Sequence, residues 1–460
     1  MFGVIVALVV VVVCGYLIIN RYKPQAVLLA GGFFMMAVAI IGDYGPLVPM
    51  KQSTGFIWFD MLKYLDELIS SRTAGLGMMI MVCAGFARYM DNINASKAMV
   101  KVAVKPLRKL RSPYLVLCGG YLMGQILHPF IPSASGFGLL LMVTVYPIFI
   151  SLGISKNSAV AVIATNGCLD LGPTSGNSIL AAKYAGITPI EYFINYQLPQ
   201  AIVISIVVVT AHYFVQRWFE KKYDGGLAKG ISRYEESTVK TSDEDGGKTP
   251  LFYAILPAVP LILILLFGYF KVGGIKMDIN VALFLGMIVA LFAEFIRTRN
   301  LKVVMDTVQT IFDGMGKQFA TVITLIVAGE TLAKGLTSLG VINTVINAAQ
   351  GAGFGKEPMI LLMSSIIFIA SIVMGSGNAP FFAFSSFAPD VAKQVGSSAV
   401  NFLLPMQLSA SVARSMSPIT AVVVAISGVA GVSPFEVVRR TVIPLVLGMI
   451  TVQIMTYLMF

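Results

Sequence analysis

Gly172-Pro173-Thr174-Ser175-Gly176-Asn177 interrupts an otherwise apolar run from about 159 to 187. Glycine and proline break a helix, and the hydroxyl and amide side chains are costly in an apolar surrounding. A backbone break is tolerated in lipid only where the freed N–H and C=O groups line a cavity or meet a ligand. The surrounding solvent is therefore the first question. The chain has 460 residues, 57% hydrophobic and only 12% charged. A soluble protein carries about a quarter charged residues, so this chain cannot cover a water-facing surface. The composition excludes a soluble enzyme, a nucleic-acid-binding protein, a disordered chain and a single-span receptor. A lipid bilayer removes the need for charge, and at roughly 20 apolar residues per span the chain supports about a dozen membrane segments.

Working outward, the same kind of break recurs. A second apolar span, 399–430, is interrupted at Ser415-Met416-Ser417-Pro418, with Arg414 directly before it. Pairs of apolar arms precede both broken spans: 113–131 and 137–154 joined through Pro132-Ser133-Ala134-Ser135-Gly136, then 358–374 and 381–396 joined through Gly375-Ser376-Gly377-Asn378-Ala379-Pro380. Each pair reads as a hairpin that enters the membrane and returns. The letters repeat as well: Ala185-Gly186-Ile187-Thr188-Pro189-Ile190-Glu191 answers to Ala430-Gly431-Val432-Ser433-Pro434-Phe435-Glu436, and at that offset Pro173 meets Pro418 and Pro199 meets Pro444. A shared offset and a shared order of elements define an internal repeat.

The remaining spans fall at about 2–20, 25–42, 74–90 and 197–216 in the first half, and 251–270, 279–296, 317–340 and 435–458 in the second. Segments 56–70 and 300–313 are amphipathic and are expected along the interface. Residues 217–249 hold seven basic and seven acidic residues with five glycines, the composition of a flexible polar linker. The division is thus 1–216, linker, and 250–460. Each half has five spans plus one re-entrant hairpin, and five being odd, the second half is expected upside down relative to the first. No basic residue precedes the first span, while Arg21 and Lys23 follow it, so the N-terminus is placed outside as an uncleaved span. In that orientation the inner segments hold 22 of the 33 Lys and Arg, as the positive-inside rule requires. The +11 net charge then reflects topology and implies no nucleic-acid partner. Both chain ends are expected outside and the linker inside.

Inverted repeats with discontinuous helices are the pattern of secondary transporters. Helix N-termini at the breaks present free N–H donors and partial positive charge, which suits an anion. The candidate substrate-binding residues are Ser133, Ser135, Gly136, Thr174, Ser175, Asn177, Ser376, Gly377, Asn378, Arg414, Ser415 and Ser417. Arg414 matches a carboxylate bidentately; an internal salt bridge or a snorkelling side chain is the plainer reading. Asp170 suits a cation or proton, a pairing with Arg414, or a helix cap. His128 either titrates during transport or is a hydrogen-bonded structural histidine. Glu330 and Lys334, four apart on one helix, are expected to pair. Asp390 and Lys393 read as solvated at an outer helix end.

Enzymatic readings find no support. The two histidines, His128 and His212, form no His-Glu-x-x-His motif, and no Walker-type phosphate loop or Gly-x-Ser-x-Gly turn at a hairpin tip is present. Cys14, Cys83, Cys118 and Cys168 lie in apolar runs without metal-ligand spacing. No cofactor and no metal are expected. A passive channel fits paired hairpins less well than alternating access does.

Ser-Pro-Tyr-Leu at 112–115, Gly-Pro-Thr-Ser-Gly at 172–176, Gly-Ser-Gly-Asn-Ala-Pro-Phe at 375–381, Ser-Pro-Phe-Glu-Val-Val at 433–438 and Gly-Met-Met-Ile-Met at 77–81 resemble the DcuC family of anaerobic C4-dicarboxylate carriers, collinearly over nearly the whole chain. The resemblance implies a bacterial inner-membrane carrier of succinate, fumarate or malate, working by exchange or by proton-linked symport or efflux. The wider superfamily implies a homodimer and an elevator mechanism, in which hairpins and broken helices move against a scaffold. The coupling ion, proton or sodium, stays open. The same fold carrying an amino acid or an aminobenzoyl-glutamate-like carboxylate is the alternative, to which an aspartate at 170 would also be suited.

Overall fold

The computed structural model describes residues 2–20, 22–107, 110, 112–225, 249–341, 344 and 355–459, and every regular element in them is a helix. In chain order these are α1 (Phe2–Ile19), α2 (Pro24–Ile41), α3 (Ile57–Asn92), α4 (Ala95–Ala103), α5 (Pro113–Leu127), α6 (Ala134–Ser151), α7 (Lys156–Thr165), α8 (Gly176–Ala185), α9 (Pro189–Tyr223), α10 (Leu251–Tyr269), α11 (Ile279–Thr298), α12 (Leu301–Ser338), α13 (Lys356–Met374), α14 (Asn378–Phe384), α15 (Ala388–Gln394), α16 (Val400–Arg414), α17 (Ala421–Ala430) and α18 (Pro434–Met459). Nine of the described helices are long and apolar enough to cross a membrane. Large apolar side chains such as Leu8, Ile206, Ile288 and Ile450 stand exposed on their outer faces, as a protein dissolved in lipid requires.

Local sequence explains the ends. Proline opens α2, α5, α9 and α18, where its missing N–H costs nothing. Gly186 and Gly431 close α8 and α17 in the left-handed conformation, at φ 72° and 67°, the conformation glycine adopts without penalty. Both sit at matched places in the repeated letters, so α8–α9 and α17–α18 turn the same corner.

The amphipathic segments depart from expectation. They are not separate interfacial helices. Ile57–Arg72 continues into Met78–Asn92 through a single π turn, Thr73–Gly77, and Leu301–Gln318 continues into Thr324–Ser338 through another, Phe319–Ile323. A π turn inserts one residue and shifts the apolar stripe without ending the helix. At 36 and 38 residues, α3 and α12 are each longer than the roughly 30 Å hydrocarbon core demands. The start of the expected linker is also helical: α9 runs to Tyr223 and buries Glu220 completely. The rest of the linker, 226–248, lies outside the described residues.

Packing sorts the helices into two bodies, each built from both halves of the chain. In one, which we call the frame, α2 packs on the later part of α12, α11 and the early part of α12 on the later part of α3, and α4 on α10. Glycines permit this closeness: a Cβ on Gly32 would lie 2.6 Å from the Thr331 carbonyl oxygen, and one on Gly85 2.9 Å from that of Ile311. In the other body, α9 packs on α18, α13 on α16, α18 on α7 and α16, and α6 on α17. The two bodies meet mainly where α14 and α8 touch α12 and α3.

The second body is pinned by a buried ion pair. Arg440, 1% exposed, donates to both carboxylate oxygens of Asp224 at 2.8 and 2.9 Å and to Ser158 at 2.9 Å. Asp224→Ala leaves that guanidinium uncompensated, a loss of about 3 kcal/mol or more. A lowered thermal midpoint of the detergent-solubilised protein is the expected readout.

Candidate substrate site at the helix breaks

The first tip lies between α5 and α6, where His128–Phe130 forms a tight turn and the Ser133 side chain caps α6, accepting from the Gly136 N–H at 3.3 Å. The second lies between α13 and α14, where Gly375 is left-handed at φ 63° and Ser376 accepts from the Ala379 N–H at 3.3 Å. The first broken helix is open from 166 to 175 and the second from 415 to 420, so the first break is longer than the six residues quoted above.

The freed backbone groups have specific partners. Gln197, at the π turn Tyr192–Gln197 of α9, accepts from the Gly172 N–H at 3.1 Å and donates to the Asp170 carbonyl at 3.2 Å. Gln407 of α16 donates to Ser178 at 3.1 Å and is itself held by Tyr192 at 2.6 Å. Thr174 donates to the Pro129 carbonyl at 3.2 Å, which ties the first break to the first tip. In the second break, Thr420 donates to the Arg414 carbonyl at 2.5 Å and Thr441 to the Ser415 carbonyl at 3.0 Å. These bonds supply what lipid cannot.

Tips and breaks converge on one cavity of about 820 Å³. Ser133, Ser135, Gly136, Asp170, Thr174, Ser175, Asn177, Ser376, Gly377, Asn378 and Arg414 all line it. So do the first residues of α6, α8, α14 and α17, namely Ala134, Gly176, Asn378 and Ala421. Four helix N-termini therefore face the same space, a field favourable to an anion. At its centre Asn177 donates to Asp170 at 2.6 Å and to the Asn378 Oδ1 at 3.2 Å, joining the first break to the second tip. Arg414 donates to the Gly167 carbonyl at 2.5 Å and stands 3.8 Å from the Asp170 carboxylate. At that distance the ion pair is loose, and the guanidinium retains free donors for a carboxylate.

Three expected residues stand elsewhere. Ser415 lines a small void behind the cavity, and Ser417 is fully buried with its hydroxyl unpartnered. His128 is fully buried beside Gly167; its Nδ1 is 3.5 Å from the Leu171 carbonyl and its Nε2 has no partner. Glu330 does not pair with Lys334: Arg72 takes both its oxygens, at 2.7 and 2.8 Å. A fork from a facing helix outcompetes a flexible ammonium one turn away. Asp390 and Lys393 are exposed, as expected.

Arg88, Asp91, Asp313, Lys317, Gln318, Thr321 and Thr420 also line the cavity, and the sequence reading missed them. Thr420 had a signal, since it is the repeat counterpart of Ser175. Asp313 had none beyond the amphipathic pattern of 300–313, which reads equally well as a membrane-surface helix, and Arg88, Asp91 and Lys317 read only as charges at the ends of apolar spans.

Comparison with known proteins gives one consistent answer. The sequence profile of DcuC, C4-dicarboxylate anaerobic carrier, matches residues 2–460. The chain is 35% identical over 458 residues to the probable anaerobic C4-dicarboxylate transporter DcuC of Vibrio cholerae, covering 99% of this chain and 97% of that protein. It is 35% identical over 457 residues to the anaerobic C4-dicarboxylate transporter DcuC of Escherichia coli K12, covering 99% and 96%. Among solved structures, the Alcanivorax borkumensis YdaH transporter aligns with a TM-score of 0.65 at 12% identity, over 95% of this chain and 98% of that one. Neisseria gonorrhoeae MtrF, described within a class of antimetabolite efflux pumps, aligns with a TM-score of 0.61 at 12% identity, over 94% and 95%. At 12% identity these two structures speak for the fold alone.

Proposed function

Because the chain belongs to the DcuC family of C4-dicarboxylate anaerobic carriers, we propose that it is a secondary active transporter of succinate, fumarate and malate across the bacterial inner membrane. The carrying observation is the convergence of four helix N-termini and Arg414 on one cavity. A dianion needs positive potential without a permanent excess of charge in the membrane, and helix ends supply it. In this reading one carboxylate meets Arg414 and the first break, through Thr174, Ser175 and Asn177. The other meets the tips, through Ser133, Ser135 and Gly136 or Ser376, Gly377 and Asn378. Ser415 and Ser417 lie behind the second break, away from the diacid.

Two features support inverted repeats and an elevator. Helices α9 and α18, repeat counterparts, pack antiparallel: Gln216 bonds the Arg440 carbonyl, Gly448 lies against Val208, and Gln200 bonds Thr456. Counterparts that meet head to tail are what a two-fold axis in the membrane plane produces. The segregation into two bodies fits a body of hairpins and broken helices that moves against the frame. The molecule is assigned as a homodimer with both termini outside and the linker inside.

Asp170 is assigned to coupling. A dianion on Arg414 competes with Asp170, which is then stabilised by a proton or sodium ion; His128, buried behind it, is the second candidate. The transport mode is exchange or proton-linked symport or efflux. The carboxylate of Asp170 in the cavity is also the one observation favouring the second reading, since an amino acid's ammonium would pair with it. Counterflow in proteoliposomes separates the two. Labelled succinate is expected to accumulate against internal fumarate, and excess amino acid is expected to leave it unchanged. Competition by amino acids and not by diacids would select the alternative, and no counterflow with any four-carbon diacid would end the dicarboxylate reading.

A further inference from the structure

A charge network sits just beyond one end of the cavity lining on α3 and α12. On α3 the lining residues run from Ile80 to Asp91, and on α12 from Asp313 to Leu325. Past that end, Arg72 of α3 holds Glu330 of α12 through two bonds of 2.7 and 2.8 Å. Tyr184, near the end of α8, donates to the same carboxylate at 2.7 Å. Glu330 is 7% exposed and Arg72 29%, so the carboxylate at the centre of this seal is buried. Arg72 and Glu330 belong to the frame and Tyr184 to the other body, so the Tyr184–Glu330 bond is a polar tie across the division between them.

Cations at equal distances from the two π turns differ across this seal. Arg88 and Lys334 each stand eleven residues beyond the π turn of their long helix. Arg88 lines the cavity and is exposed. Lys334 is half-buried, its ammonium 5.5 Å from the centre of the Tyr64 ring. Along α3, Arg88 is about 24 Å from the level of Arg72, and along α12, Lys317 is about 20 Å from the level of Glu330. The two cations matched by their π turns thus lie on opposite sides of the seal, one exposed and one covered.

We propose that the Arg72–Glu330–Tyr184 network is the closed gate of this conformation, and that the opposite-facing state breaks Tyr184–Glu330 and exposes Lys334 where Arg88 is exposed here. This rests on the alternating-access reading above. Arg72 holds Glu330 in place through two bonds, so this network parts by losing its one hydrogen bond between the bodies, Tyr184–Glu330, and no ion pair is broken. The frame stays intact while α8 carries Tyr184 away. Lys334, which keeps its place beside Tyr64 in the frame, is then uncovered and gives the new opening the cationic lining that Arg88 gives the present one.

The test has two arms, both in a transport-competent background with the four native cysteines replaced by alanine. In the first, Tyr184→Cys with Glu330→Cys is bridged by a short reducible thiol cross-linker. Counterflow is expected to fall about tenfold or more on bridging and to return on reduction, because the two bodies can no longer part. Bridged protein that transports at the unbridged rate overturns the gate. In the second, Lys334→Cys and Arg88→Cys are labelled separately with a hydrophilic maleimide in detergent, with and without Tyr184→Phe. Losing the hydrogen bond is expected to raise labelling at 334 about threefold or more and to lower it at 88. Rates unchanged at both positions overturn the proposal. The labelling arm needs no substrate, so its failure speaks against the gate, whereas absence of counterflow for every diacid speaks against the transport reading.

Discussion

Arg414→Ala is expected to reduce dicarboxylate counterflow by about a hundredfold or more while the protein still inserts and purifies normally. Arg414 ends α16 at the mouth of the second break, 8% exposed, with one bond to the Gly167 carbonyl and a loose approach to Asp170. Truncating one partner of a buried, hydrogen-bonded charge pair between protein and ligand costs about 2–5 kcal/mol of binding, and each 1.36 kcal/mol is a factor of ten. The loss falls on substrate binding, because the four helix N-termini alone must then hold a dianion beside the Asp170 carboxylate. Arg414→Lys keeps the charge and loses the fork, so partial activity with a raised KM is expected from it. Wild-type rates in Arg414→Ala would remove the residue from the site.

Gly377→Val is expected to be nearly as severe, for a steric reason. Gly377 has φ −77°, open to any residue, so the backbone itself tolerates a side chain. The space does not: a Cβ there would lie 2.6 Å from the Ala410 carbonyl oxygen and 3.4 Å from the Arg414 Cδ. Both contacts are on α16, and the carbonyl cannot swing away without breaking the helix. The tip must lift, taking Ser376 and Asn378 out of register with Asn177. A rise in KM of about tenfold or more is expected. Gly316→Ala is the control, since a Cβ on that helical glycine meets nothing within 4 Å; its kinetics are expected to match wild type.

The site was legible in the sequence to the extent that it is built from breaks. A polar, glycine-rich interruption in a membrane span has few physical uses, and the matched positions of 172–177 and 415–418 and of the two tips pointed to one cavity. Asp170, Asn177, Asn378 and Arg414 were found that way. What stayed hidden was long-range pairing. Glu330 carries a local partner at Lys334 in the sequence, yet its actual partners, Arg72 and Tyr184, come from distant segments. Gln197 and Gln407, which satisfy the first break, look like ordinary polar residues until α9 and α16 are folded against it. The helix order was legible as well. The continuity of 57–92 and of 301–338 was not, because an amphipathic segment followed by an apolar one reads as two helices, and only the π turns at 73–77 and 319–323 let one helix serve both environments. That misreading also hid Asp313, while Arg88, Asp91 and Lys317 read as charges at the ends of the spans 74–90 and 317–340.

The most direct measurement is a structure of the purified protein with succinate bound. Density for the diacid within the cavity is the expected result, with one carboxylate on the Arg414 guanidinium, Asp170 displaced from it, and the other carboxylate against a hairpin tip. Succinate bound outside this cavity, or a cavity left unfilled at saturating succinate with Arg414 still on Gly167 and Asp170, would contradict the site and the transport mechanism built on it.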